Sequence, residues 1–182
     1  MLGLLTVIVS FVGGAVVALI PASNHRLIRS IALLTSFAGL VLSLCCYFNY
    51  DMDKANEGEV FQNVIEAEWI PTIGAKFKVG YDGISLSMLI LTGIVALCGV
   101  FFSWNIKERV NEFFAYYLVL IGGVYGVFLS MDLFLLFVFY EIAIIPKYFL
   151  ISIWGSGKKE YAAMKLVLYS FVGSTFALIG FI

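Results

Sequence analysis

The sequence predicts an all-α polytopic membrane protein of about six transmembrane helices, and three observations carry this prediction. The first observation is composition, since hydrophobic residues make up 62% of the 182 residues and only 13% are charged. The second is a mean hydropathy of +1.02. A soluble domain has roughly 45–50% apolar and about 25% charged residues, so lipid must solvate the surplus. The third observation is a series of six apolar runs, each close to the ~20 residues that cross a bilayer.

The six apolar runs are separated by four short polar turns and one long polar segment. In order, they are Leu2–Ile20, Leu27–Tyr47, Ile84–Trp104, Phe113–Ser130, Leu133–Ile153 and Ala162–Ile182. They divide the chain into residues 1–50 with two helices, residues 51–83 as an extracytoplasmic loop, and residues 84–182 with four helices. The first run lacks a basic n-region and a convincing cleavage site, which favours a retained helix over a signal peptide.

Basic residues occupy the three short loops that six spans would place on one side of the membrane. These loops carry Arg26 and Arg29, Lys107 and Arg109, and Lys158 and Lys159. Acidic residues lie in the two connections on the opposite side: Asp51, Asp53, Glu57, Glu59, Glu66, Glu68 and Asp132. The positive-inside rule therefore predicts an extracytoplasmic N-terminus. Because the chain has no basic stripe, nucleic acid is not an expected partner.

The long polar segment contains signals of local structure. Residues 60–70 mix apolar and acidic types, and residues 77–80 alternate as a short strand does, so this region is either half of a hairpin or an ordinary loop. Asp82 directly precedes the third span, where its carboxylate is expected to cap the helix. Cys45, Cys46 and Cys98 lie within apolar runs without a CxxC spacing, which argues against a zinc or iron–sulfur site.

Glu141 is the main candidate functional residue. It lies eight residues beyond Leu133 in the fifth span, about 12 Å into a hydrocarbon core of about 30 Å. An ionised carboxylate at this depth costs several kcal/mol unless it is paired, so it marks a functional site by default. The alternative is a structural carboxylate that holds two helices together.

Two neighbours in the same span bear on this hypothesis. Pro146 cannot donate to the carbonyl of Ile142, which predicts a free acceptor and a kink near Glu141. Lys147 is six residues from Glu141, effectively 240° around the helix, so the two are not expected to pair. Lys147 either extends to the headgroups or points inward as a relay cation.

The sixth span adds candidates for a polar path. Lys165 lies about one turn inside the span, and Tyr169 follows at i+4 on the same face. Glu141, Lys165 and Tyr169 are therefore expected to form part of a polar line from the membrane centre to the basic side. Gly173, Ser174 and Thr175 are small residues that favour close helix packing.

These residues carry a resemblance to a known family. The matching stretches run over about 100 residues in order and spacing: residues 81–86, 132–134, 139–142, 145–146, 148–151, 153–155, 162–165 and 168–169. With them the chain resembles the M-type antiporter-like subunits of proton-pumping NADH:quinone oxidoreductase, respiratory complex I, whose mitochondrial counterpart is subunit 4. The first 70 residues match only in pattern.

The resemblance implies a fold of fourteen helices with two inverted five-helix repeats, of which this chain would be the N-terminal part. It also implies that Glu141 corresponds to the essential glutamate of the fifth helix, which pairs in the family with a lysine on a later broken helix. Lys147, Lys165 and Tyr169 would be auxiliary. No cofactor is expected in this chain, and NADH, FMN, iron–sulfur clusters and quinone would belong to other subunits. L-type and N-type antiporter-like subunits and the lipid bilayer are the implied partners.

Two departures from the family pattern qualify the resemblance. The chain stops at Ile182 within an apolar run, without the central lysines, so it is expected to be a fragment that has no activity alone. Lys147 replaces a residue that is usually uncharged.

The implied location is a bacterial inner membrane rather than a mitochondrial one. The alternatives left open are a subunit of a multisubunit cation/proton antiporter or membrane-bound hydrogenase, and a membrane scaffold without transport.

Overall fold

The computed structural model describes residues 1–22, 24–56, 58–71 and 74–181. The residues Glu57 and Ile182, which entered the sequence arguments, lie outside this part of the chain. The helices are α1 Leu2–Leu19, α2 His25–Phe48, α3 Met52–Asn56, α4 Gly83–Phe102, α5 Val110–Leu129, α6 Leu133–Trp154 and α7 Lys159–Phe181, and the strands are β1 Gln62–Ile70 and β2 Ala75–Tyr81. A short 3-10 turn, Ser103–Asn105, follows α4.

Within the described residues, six helices are long and apolar enough to cross a membrane, namely α1, α2, α4, α5, α6 and α7. The prediction of six apolar helices is therefore confirmed. Several helices begin two or three residues earlier than predicted: α2 at His25, α5 at Val110 and α7 at Lys159. The difference arises because hydropathy marks the apolar part of a span, whereas helical hydrogen bonds continue into polar flanking residues.

Helix α5 lies at the centre of the bundle and packs against α1, α2, α4 and α6, while α6 also packs against α7. Two apolar clusters form the core. One is built around Leu89, Tyr125 and Phe139 beneath the hairpin, and the other around Ile28, Phe114 and Leu118 near the opposite ends of the helices. Within the described part of α7, only 11% of the apolar window is buried, so this helix has the least support from the rest of the chain.

The long polar segment folds as a two-stranded antiparallel hairpin of β1 and β2. Glu66 pairs in register with Lys78, and Glu68 with Lys76. The hairpin interpretation of this segment is thus confirmed over the loop interpretation. The short helix α3 was not predicted, since its five residues, three of them polar, are too few to show helical periodicity.

Aspartates begin two of the transmembrane helices. The side chain of Asp82 accepts a hydrogen bond from the amide of Ser85, 2.7 Å away, which confirms its predicted role as the N-cap of α4. Asp132 caps α6 by accepting hydrogen bonds from the amides of Phe134 and Leu135, at 2.9 and 3.1 Å. This second cap fixes the start of the helix that carries Glu141.

Candidate functional site

Glu141 lies in the middle of α6, and one of its carboxylate oxygens has no hydrogen-bond partner among the described residues. Its Oε1 is buried, and no described residue donates a hydrogen bond to it. The ion pairs among the described residues join Lys76 and Lys78 to Glu66 and Arg109 to Glu112, and they do not include Glu141. A buried carboxylate oxygen without a donor is costly while it is charged. The site therefore calls for a bound proton, water or a cationic partner.

The face of α6 that carries Glu141 is not the face that packs on α5. Phe139 and Ala143 pack against glycines of α5. A Cβ added at Gly126 would lie 2.2 Å from Phe139, and one added at Gly123 would lie 3.0 Å from Ala143. At about 100° per residue, Glu141 points about 160° away from each of these two residues, on the opposite face of the helix. It points only about 40° away from Ile145. Ile145 is 59% exposed, so Glu141 borders a side of α6 that the described chain leaves uncovered.

Helix α6 passes through Pro146 without interruption, and the proline is buried. Proline has no amide hydrogen, so the carbonyl of Ile142, the residue directly after Glu141, lacks its ordinary helical donor. This proline therefore supplies a second under-satisfied acceptor on the same helix. The expected kink remains a prediction.

Lys147 is half-buried and takes no part in the described ion pairs. That Lys147 and Glu141 do not pair within the helix stays a prediction. Both interpretations of its role, extension to the headgroups and inward relay, remain predictions.

Lys165 and Tyr169 come together, as their i+4 spacing predicts. Lys165 Nζ lies 5.5 Å from the ring centroid of Tyr169 and 5.8 Å from that of Tyr161. The sequence argument missed Tyr161, although its i−4 spacing from Lys165 was the available signal. Tyr161 and Tyr169 are 66% and 68% exposed, so this cation–aromatic cluster faces outward from α7.

The structure does not bring Lys165 or Tyr169 to Glu141. A crevice of about 200 Å³ between α6 and α7 sets Phe137 and Tyr140 against Gly173, Ser174 and Ala177. In this antiparallel register Glu141 is level with about residue 173, eight residues from Lys165. The separation along the helix is about 12 Å. The predicted polar line therefore has a gap within the described residues.

The small residues of α7 pack less closely than their sequence suggests. Ser174 is 5% exposed, but a Cβ added at Gly173 would meet nothing within 4 Å, and Thr175 is exposed with its hydroxyl donating to the carbonyl of Phe171. Close packing through small residues occurs instead on α5, at Gly123 and Gly126 against α6.

The bundle holds another polar group that the sequence argument missed. Tyr125 on α5 is 1% exposed, and within the part of the chain that the structure describes its Oη has no partner with hydrogen-bond geometry. A Cβ added at Gly39 of α2 or Gly93 of α4 would lie 3.2 or 3.0 Å from this oxygen. The available signal was a glycine in each of two other spans, Gly39 and Gly93, because small residues let a large ring approach closely.

No group of three or more His, Cys, Asp or Glu among the described residues is arranged to hold a metal ion. Cys45, Cys46 and Cys98 are free thiols, of which Cys46 is buried and Cys98 is exposed on α4. The polar chemistry of the bundle therefore rests on Glu141, the aromatic hydroxyls and the lysines.

Comparison with known proteins places this geometry in a family. Residues 130–182 match the family model described as NADH:quinone oxidoreductase/Mrp antiporter, transmembrane. The chloroplastic NAD(P)H-quinone oxidoreductase chain 4 of Chara vulgaris is 37% identical over 166 residues, which cover 90% of this chain and 32% of the relative. A chain 4 of Trichormus variabilis is 33% identical over 168 residues, which cover 92% of this chain and 31% of the relative. The chain thus spans about a third of the length of these curated relatives.

Two solved structures share the fold. A chain of respiratory complex I from Thermus thermophilus superposes with a TM-score of 0.79 at 23% identity, covering 96% of this chain and 33% of that one. A chain of an archaeal membrane-bound sulfane sulfur reductase gives a TM-score of 0.76 at 20% identity, covering 98% of this chain and 36% of that one. Residues 130–182 therefore belong to the NADH:quinone oxidoreductase/Mrp antiporter transmembrane family, and nine tenths of the chain is similar to the chain 4 subunits of NAD(P)H-quinone oxidoreductases.

Proposed function

We propose that this chain is a proton-translocating membrane subunit of an NADH:quinone oxidoreductase, in which Glu141 is the group that carries or switches charge. The observation that carries the proposal is the buried Oε1 of Glu141, which has no hydrogen-bond partner among the described residues. It lies within residues 130–182, the segment that matches the antiporter family.

The chemistry follows from the environment of this carboxylate. In a membrane interior a lone carboxylate is tolerated when it is protonated, and an approaching cation favours the ionised form. A cation that moves toward and away from Glu141 would therefore make it release and rebind a proton. The uncovered side of α6 next to Ile145 leaves room for such a partner.

Quinone reduction elsewhere in the complex would drive this cycle. NADH, FMN, iron–sulfur clusters and quinone would be bound by other subunits, and this chain alone would catalyse no reaction. Other membrane subunits, including L-type and N-type antiporter-like chains, would be its neighbours. The loop charges support an extracytoplasmic N-terminus, and we place the complex in a bacterial inner membrane.

The test is Glu141→Gln in the complete complex, assayed for proton uptake per NADH oxidised in inverted membrane vesicles. The variant removes the titratable group at nearly constant volume, so pumping should fall strongly while the complex still assembles. Glu160→Gln is the matched control, because Glu160 is exposed in the first turn of α7. Normal pumping by an assembled Glu141→Gln complex would contradict the proposal.

A cation/proton antiporter subunit is the second candidate, because the matching family model covers Mrp antiporters as well as oxidoreductases. Affinity purification through a tag on this chain separates the two. Recovery of iron–sulfur subunits with NADH-oxidising activity would favour the oxidoreductase. Sodium-dependent proton exchange without such subunits would favour the antiporter.

A further inference from the structure

A group of basic residues lies at the start of α2, where the helix meets the membrane boundary, and it takes no part in the ion pairs of the described residues. An open cavity of about 830 Å³ is lined there by Asn24, His25, Arg26, Leu27, Arg29 and Ser30. The proposed proton path does not use these residues. Because α2 is long and apolar enough to span a membrane, its first residues lie at the level of the lipid headgroups.

Arg29 is held in place with part of its guanidinium unsatisfied. Its Nη2 donates a hydrogen bond to the carbonyl of Ile106 at 3.0 Å, and its guanidinium carbon lies 5.8 Å from the ring centroid of Trp104. Its Nε is buried without a hydrogen-bond partner. Two contacts thus fix the orientation of a cationic, planar guanidinium that lines the cavity, and a guanidinium suits a phosphate acceptor.

The surroundings of Arg29 carry an excess of positive charge. Arg26 on α2 and Lys107, which follows Ile106, are exposed and take no part in the ion pairs of the described residues. The first turn of α2 contains no acidic residue. Glu108 is the nearest acidic residue along the loop, and it forms no described ion pair. The ion pairs of the described residues therefore give this cluster no counter-ion.

We propose that this cavity binds the phosphate of an anionic phospholipid headgroup. Basic clusters at the membrane boundary attract anionic headgroups, and aromatic residues such as Trp104 favour the same interface. A free phosphate shares the anionic chemistry but has no acyl chains. Leu27 lines the cavity and is 49% exposed, and Phe102 beside Trp104 is 89% exposed, which gives acyl chains an apolar surface next to the charges.

The test uses the full chain in lipid nanodiscs, with Trp69→Phe and Trp154→Phe so that Trp104 is the sole tryptophan. Phosphatidylglycerol with brominated acyl chains, a tryptophan quencher, is titrated into phosphatidylcholine, and brominated phosphatidylcholine is titrated in parallel. Trp104 should be quenched at a lower fraction of the anionic lipid. Arg26→Gln should weaken this preference about fivefold, the effect of one surface charge of about 1 kcal/mol.

Lys158→Gln is the matched control, since Lys158 is exposed in a basic loop on the same predicted side. It should leave the preference at Trp104 unchanged, and Arg29→Lys should lower it even though the charge is kept. Equal quenching by the two lipids would overturn the proposal. So would an equal loss in Lys158→Gln, or full displacement of the brominated anionic lipid by excess inorganic phosphate. Circular dichroism of each variant establishes that the helices remain folded.

Discussion

The carboxylate of Asp132 accepts a hydrogen bond from the backbone amide of Lys76, 3.3 Å away, while it also caps α6. The neighbouring Met131 donates its amide to the carbonyl of Lys78 at 2.9 Å, and Val79 forms an isolated bridge with Ser130. Strand β2 therefore holds the connection between α5 and α6. The polar hairpin and the start of the helix that carries Glu141 are one connected unit.

Asp132→Ala should destabilise this unit by about 1 kcal/mol, because the first turn of α6 loses its side-chain acceptor. Hydrogen exchange at the amides of Phe134 and Leu135 should accelerate, and thermal unfolding in detergent should shift to lower temperature. Asp132→Asn is the control, since its amide oxygen still accepts these hydrogen bonds. An Asn variant as unstable as the Ala variant would show that charge, rather than capping geometry, holds the turn.

Gly126→Ala should destabilise the contact between α5 and α6 by about 1–3 kcal/mol. The added Cβ would lie 2.2 Å from the ring of Phe139, which is buried, so the ring or the helix must shift. Gly173→Ala is the matched control on α7, where nothing lies within 4 Å of the added atom and the better helix propensity of alanine should stabilise slightly. Equal thermal stability of the two variants would contradict this account of the helix contact.

The membrane fold could be predicted from the sequence because the solvation of apolar residues by lipid is the main constraint on which segments span the bilayer. Six helices, the Asp82 cap and the hairpin follow from local patterns. The docking of β2 onto the turn at Met131 could not be predicted, since backbone hydrogen bonds between distant segments leave no residue signature.

Only part of the candidate site could be predicted from the sequence, because some of its features depend on one helix and others on contacts between helices. The depth of Glu141 and the shared face of Lys165 and Tyr169 depend on spacing along single helices. Whether α6 and α7 present these groups to each other depends on helix rotation and register. Rotation and register are set by packing at Gly126, Phe139 and Ser174, and the periodicity of a single helix does not determine them.

Acid should weaken the hairpin through Glu66. Hydrogen bonds from Lys76 Nζ at 2.6 Å, and secondarily from Lys78 at 3.2 Å, hold the pKa of Glu66 below its ordinary value of 4.5. A depressed carboxyl pKa contributes stability that is complete above the unfolded value and is lost as the pH falls through the folded value. The expected loss therefore lies below pH 4.5.

Trp69 lies at the end of β1 with its ring 5.7 Å from that of Phe134, so its fluorescence reports the hairpin in a Trp104→Phe, Trp154→Phe background. Glu66→Gln should flatten the acid transition of this signal. Glu68→Gln is the control, because Glu68 is in register with Lys76 but in no described ion pair. A transition unchanged in Glu66→Gln would assign the pH dependence to another carboxylate.

Lys147→Met should reduce proton pumping less than Glu141→Gln does. Lys147 is half-buried and unpaired with Glu141, so its removal alters the local potential without removing the titrating group. Protons taken up per NADH oxidised, measured in vesicles with equal amounts of assembled complex, give the ranking. A larger loss in Lys147→Met would make Lys147 the principal charge of α6.

Tyr169→Phe should preserve both stability and pumping, whereas Tyr169→Leu should cost about 0.5–1 kcal/mol of stability. The reason is that the ring of Tyr169, 5.5 Å from Lys165 Nζ, makes the described contact with the cation, and phenylalanine keeps this ring. Thermal unfolding of the chain and proton uptake by the assembled complex are measured for both variants. A Phe variant that unfolds normally but pumps slowly would show that the hydroxyl of Tyr169 passes protons, and the outward-facing cluster would then be part of the path to Glu141.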